Sequence, residues 1–152
     1  MYGQKPKSVW ASHVLWVGAI VAAIVELLTR LMSAPAGLWM ALSEGATEVT
    51  VRCTAYAVLL SLSLLMLSGR SWSRWALLVI FGGLGTLSLV VEPVQWLLEG
   101  GSISHFIATA DISIWVITVS RVAHVACVWA AVIAMFGPDT ADYFVGPQKS
   151  SA

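Results

Sequence analysis

Apolar residues run along the chain in four long blocks, about 9–29, 50–68, 72–98 and 112–136, and most of the charged residues fall between them. A hydrocarbon core about 30 Å thick is crossed by roughly 20 residues of helix, the only open-ended backbone conformation that pairs its own polar groups there. Each block is long enough. The pattern therefore predicts an all-α, polytopic membrane protein, one domain of four transmembrane helices in a bundle. Gly69 closes the second block, Gly100 and Gly101 follow the third, and Gly137-Pro138 stop the fourth, since Pro cannot continue a helix and Gly accepts the cap conformation. The connections are then 30–49, 69–71 and 99–111, with a tail at 137–152. Within the first, Pro35 to Leu42 reads as a short interfacial helix carrying Leu38, Trp39 and Met40.

Loops rich in Lys and Arg stay on the cytoplasmic side. Lys5, Lys7, Arg70, Arg74 and Lys149 all fall on one side of a four-span chain, opposite Arg30, Arg52, Glu44, Glu48, Glu99 and Asp111. This predicts both termini in the cytoplasm, the loops 30–49 and 99–111 outside, and a location in the inner (plasma) membrane. Trp10, Trp72 and Trp75 form an inner interfacial belt in this arrangement, and Trp39, Trp96 and Trp115 an outer one. Lys5, Lys7, the first apolar run and Ala34-Pro35-Ala36 also fit a cleaved signal peptide. A run long enough to span, and the odd number of spans that cleavage leaves, favour retention.

Composition agrees with the pattern and narrows the chemistry. Hydrophobic residues make up 59% and charged residues 11% of the 152, against about a quarter charged in soluble domains. Formal net charge is zero and no basic run occurs, which argues against nucleic acid as a partner. Cys53 and Cys127 differ in depth by roughly 20 Å on the helical rise, beyond the Cα separation of about 4.4–6.8 Å that a disulfide allows. No Cys-x-x-Cys pair is present for thiol oxidation. His13, His105 and His124 share neither depth nor metal-ligand spacing, so neither haem nor a metal is expected. No cofactor motif or catalytic elbow appears.

What stands out is charge inside the spans. An ionisable group at the centre of a membrane helix costs on the order of 2.5–3.5 kcal/mol by insertion scales, so it turns inward and finds a partner. Glu26, Glu92, Arg121 and His124 are such groups. Gly18, Ala22 and Glu26 recur every four residues, Gly85, Ser88, Glu92 and Gln95 share a face, and Arg121, His124, Val128 and Ala131 align. Counted from the outer ends at 1.5 Å per residue, Glu26 lies roughly 5 Å deep, Glu92 roughly 9 Å and Arg121 roughly 14 Å. Side chains lean toward the helix N-terminus, which brings Glu92 and Arg121 together. The expectation is an Arg121–Glu92 ion pair with Glu26 and His124 near it, and Arg52 and Tyr56 approaching from the second span. Gly82, Gly83 and Gly85, and Ala123, Ala126 and Ala130, are small residues suited to close helix contact.

Three segments carry a resemblance: Lys5-Pro-Lys-Ser-Val-Trp-Ala-Ser-His-Val-Leu-Trp16, Gly69-Arg-Ser-Trp-Ser-Arg-Trp-Ala-Leu-Leu78, and Phe136-Gly-Pro-Asp-Thr-Ala-Asp-Tyr-Phe144. Together they resemble the small uncharacterised four-span membrane proteins common in actinobacteria, in which a Gly-Arg-x-Trp-x-Arg loop joins the second and third helices. The resemblance implies a bacterial plasma membrane and supplies no activity. Physically, Arg70 and Arg74 would meet anionic headgroups at about 1 kcal/mol each, with Trp72 and Trp75 at the interface. The chain is also similar to small multidrug transporters in having four short spans and a Glu in the first. Glu26, however, lies near the end of that helix rather than its middle, and Arg121 and His124 have no expected counterpart.

Three functional readings follow. The first is a non-enzymatic accessory or scaffold subunit of a larger membrane complex, whose partners are the lipid bilayer and other membrane subunits or further copies of itself. The second is a small homo-oligomeric transporter or channel using Glu26, Glu92, Arg121 and His124. The third is an interfacial enzyme acting on lipid or quinone, for which His105, Glu99 and Asp111 are the acid–base candidates.

Overall fold

The computed structural model describes residues 6–35, 37–140 and 143–144; Lys5, Ala36 and Lys149, invoked above for orientation and processing, lie outside these. Among the described residues there is no strand, and the elements are α1 (Lys7–Met32), α2 (Leu38–Glu44), α3 (Ala46–Leu67), α4 (Ser71–Ala76), a π-helical stretch (Leu77–Gly85), α5 (Thr86–Leu98), α6 (Ile103–Thr109), α7 (Ile112–Met135) and a single 3-10 turn (Pro138–Thr140). Four helical rods are long and apolar enough to cross a membrane: Lys7–Met32, Ala46–Leu67, Ser71–Leu98 and Ile112–Met135. The short helix expected after the first span is present as α2. The second rod begins at Ala46, four residues before its expected start, because Gly45 follows α2 directly and lets the chain re-enter a helix without a loop.

The core is the antiparallel seam between α1 and α7. On α1 the buried positions include Ser12, Trp16, Ala19, Ala23 and Glu26, and on α7 they include Val128, Ala131 and Met135. Spacings alternating between three and four keep one stripe facing a neighbour along a helix. The stripe expected on α1, Gly18-Ala22-Glu26, is thus turned slightly. A strict four-residue step drifts around a 3.6-residue helix, whereas alternating steps stay on one face. Small side chains let the two backbones approach. Ser12 donates to the Ala131 carbonyl at 2.9 Å across the contact, and a Cβ on Gly18 would stand 3.4 Å from Cys127 Sγ.

α3 packs on α1 through its second half, where Leu59, Leu62, Ser63 and Met66 are buried. His13 Nδ1 lies 3.2 Å from Ser63 Oγ, and Tyr143 donates to the Leu67 carbonyl at 2.7 Å. These contacts gather the start of α1, the α3–α4 turn and the end of α7 at one end of the molecule. Gly69 makes that turn with a φ of 79°.

The third rod is irregular. Its π-helical stretch holds the rod on α7 at Gly82, where an added Cβ would meet Val132 Cγ2 at 3.4 Å. Gly82 is buried but Gly83 is exposed and Gly85 half-buried, and on α7 Ala123 and Ala126 are exposed. The small residues of these two spans therefore do not form the continuous contact face their spacing predicts. A wide turn shifts which residues face α7, and the Val128-Ala131-Met135 side already serves α1. Beyond it Pro93 lies inside α5; it has no N–H to give the Leu89 carbonyl, and its ring crowds that turn. α5 accordingly buries no residue.

Candidate functional site

Four ionised side chains from three helices meet at the end of the molecule where α1 stops and α7 begins. Glu26 comes from the buried stripe of α1 and is 1% exposed. Its Oε1 accepts from Arg121 Nε of α7 at 2.9 Å and from Arg30 Nε, one turn along α1, at 3.1 Å. Arg121 Nη2 donates to Glu92 Oε2 of α5 at 2.7 Å, and Arg30 Nη2 lies 3.9 Å from the same oxygen. Two carboxylates and two guanidiniums thus form a closed, electrically neutral set. The Arg121–Glu92 contact expected from depth and side-chain lean is present, but it is the outer half of the arrangement, since the Glu92 side chain is 68% exposed. The inner half is Arg121 on Glu26.

Arg30 belongs to this set, although its place at a span end suggested a loop cation. Its signal was the Glu26–Arg30 spacing of four, which puts the two side chains on one helix face. Arg52 approaches from α3 as expected, near enough to interact electrostatically with Glu92 and His124, while its ion pair is with Glu48 one turn back on α3, with Nη2 at 2.8 Å. Tyr56 donates to the Ala23 carbonyl at 3.3 Å and so ties α3 to α1 one turn below Glu26. The local i, i+4 carboxylate on α3 takes the direct ion pair of Arg52 because it is the nearer one. His124 also stands outside the ionic set. Its Nδ1 lies 2.8 Å from the Ala19 carbonyl; a carbonyl only accepts, so Nδ1 carries the proton.

Beside Arg121 and Glu92 the splayed α5 leaves a cleft against α7 of about 730 Å³, partly open to one side. Leu89, Val90 and Pro93 form one wall and Ile117, Val122, Val125 and Ala126 the other, with Thr118 and the ion pair as its polar features. Aromatic rings bridge its end. Phe106 of α6 stands edge-on to Trp96 of α5 and Trp115 of α7, with centroids 6.0 and 5.9 Å apart. The turn from α5 to α6 needs Gly100 at a φ of 93° and Gly101, where any Cβ would run into the Trp96 ring and carbonyl.

At the opposite end the Gly-Arg-x-Trp-x-Arg loop divides its cations. Arg70 is exposed, as expected for a headgroup contact. Arg74 is not free to reach outward: its guanidinium lies over the Phe144 ring at 4.0 Å and 5.4 Å from the Phe136 centroid. Trp75 stands edge-on to Phe136 at 5.2 Å, and Trp72 and Trp75 are exposed. The Arg74 side chain thus ties the third rod to the segment after α7, because aromatic faces attract a guanidinium that has left water.

The remaining acid–base candidates are scattered. Asp111 caps α7 by accepting from the Ile114 N–H at 2.9 Å, His105 is exposed on α6, and among the described residues no hydrogen bond or ion pair joins them to each other or to Glu99. Cys53 and Cys127 are free thiols. Among the described residues no three His, Cys, Asp or Glu side chains gather as a metal site would require. No protein-family model, no curated protein and no solved structure matches the chain.

Proposed function

We propose that this protein is a non-enzymatic accessory or scaffold subunit of a larger membrane assembly in a bacterial plasma membrane, with both termini cytoplasmic. The observation that carries this reading is Glu26, buried to 1% between two guanidiniums. Its partner set is neutral and closed, so this buried carboxylate is spent on joining α1 to α7, and Arg121 in turn on joining α7 to α5. A scaffold needs that; a path for protons or ions needs groups left to bind and release them. Lys7, Arg70 and Arg74 fall at one end and Arg30 and Arg52 at the other, an excess of Lys and Arg that supports the inward placement of the termini by the positive-inside rule.

The transporter reading keeps one observation in its favour, the 68% exposure of the Glu92 side chain beside an open cleft. Mild-detergent purification from the native membrane, followed by mass determination of the intact complex, separates the two. The scaffold reading expects a larger membrane partner in fixed stoichiometry. A homo-oligomer alone, with ion flux in proteoliposomes that Glu92→Gln abolishes, overturns it.

A further inference from the structure

We propose that the cleft between α5 and α7 is a binding site for one single-chain lipid whose head is uncharged, with the chain lying along Val122, Val125 and Ala126 and the head beside Arg121 and Glu92. Size is the first argument. At about 730 Å³ the space falls within the range of about 300–1,000 Å³ typical of small-molecule sites. A partner helix, about 10 Å across with its side chains, would run along the cleft and out past both of its ends. The bridge of Trp96, Phe106 and Trp115 crosses the end of the cleft where such a helix would have to emerge.

Chemistry supplies the second argument. The walls are almost wholly apolar, and the polar features are gathered at one place, a guanidinium and a carboxylate joined at 2.7 Å with Thr118 near them. An amphiphile with one polar end matches that distribution. The charge of its head follows from the sum around it. Glu26, Glu92, Arg30 and Arg121 together are neutral, so an anionic or cationic head would gain no net Coulomb attraction there and would still give up hydration on entering a cleft with apolar walls. A head bearing hydroxyls instead donates to Glu92, and its hydroxyl or ester oxygens accept from Arg121, without changing that sum.

The test is titration of the purified protein in maltoside detergent with monoolein, reading the thermal midpoint and, by native mass spectrometry, the number of molecules retained per chain. The proposal expects one retained monoolein per chain and a saturable rise in the midpoint. Oleate and oleylamine, of the same chain length and opposite charge, should be retained at least tenfold less. Ala126→Trp fills one wall of the cleft and Val90→Trp the other; both positions are exposed, so both variants should keep the lipid-free midpoint and lose at least tenfold in retention. Equal retention by the wild type and both tryptophan variants overturns the proposal. So does retention of oleate or oleylamine equal to that of monoolein, or a dimer that Ala126→Trp converts to a monomer.

Discussion

The first and third rods have the same mean hydropathy, 2.0, yet 28% of the apolar window is buried in Lys7–Met32 and only 11% in Ser71–Leu98. Hydropathy commits both to the bilayer and says nothing about which one forms a core. α1 carries Ser12, Ala19 and Ala23 at alternating spacing on one stripe, and that stripe meets Val128 and Ala131 of α7. α5 offers Leu, Val and a mid-helix Pro, and it meets α7 chiefly through one ion pair and a bridge of rings. Lipid is as apolar as any of these side chains, so close backbone approach and polar contacts decide the packing.

The sharpest way to break this contrast is to remove the buried carboxylate of α1. Glu26→Ala leaves two guanidiniums without their buried partner, and loss of one member of a buried pair costs about 3–5 kcal/mol. Denaturation in mixed micelles should show that loss, while Glu92→Gln, at an exposed carboxylate, should cost about 1 kcal/mol or less. Equal losses for the two variants would remove the distinction between the inner and outer halves of the cluster. Arg121→Gln should fall near Glu26→Ala, since Arg121 serves both carboxylates, and the double change with Glu92→Gln should cost less than the sum of the two.

Overpacking separates the same two helices more gently. Ala19→Leu forces a larger side chain into the α1–α7 seam and should cost about 1–3 kcal/mol, whereas Val94→Leu on α5 should stay within about 0.5 kcal/mol. A matching penalty at Val94, read by the same unfolding curve, would mean that α5 is packed after all. A smaller effect tests the start of α7. Asp111→Ala removes the N-cap at Ile114 and should cost about 1 kcal/mol, with Asp111→Asn recovering most of it. Hydrogen exchange should then quicken at Ile114 and spare the Ala19–Ala131 region.

Much of this was readable from residue order. Four spans follow from block length, and the Arg121–Glu92 contact follows from rise per residue and side-chain lean. Other features were not readable, each for a physical reason. Arg52 turns to Glu48 because a partner on its own helix is nearer than one across a gap, and only interhelical distance tells which wins. Arg74 lies on Phe144 and Phe136 because the segment after α7 returns to the third rod, a proximity between residues about 60–70 positions apart. The cleft depends on where a π-helical stretch and Pro93 aim α5, and no periodicity in Leu77–Leu98 gives that direction.

By itself, then, the sequence determined that the chain is helical, that it has four segments able to cross a membrane, and that its intramembrane charges must find one another. Backbone hydrogen bonding in hydrocarbon and the cost of lone charge leave no alternative to these. Tertiary structure decided which helices touch, that Glu26 and Arg30 complete the pair of Arg121 and Glu92, and that α5 stands away from α7 over a cleft. Those outcomes depend on angles and distances between helices of nearly equal hydropathy, which are fixed only when small residues, hydroxyls and ion pairs from distant parts of the chain come into contact.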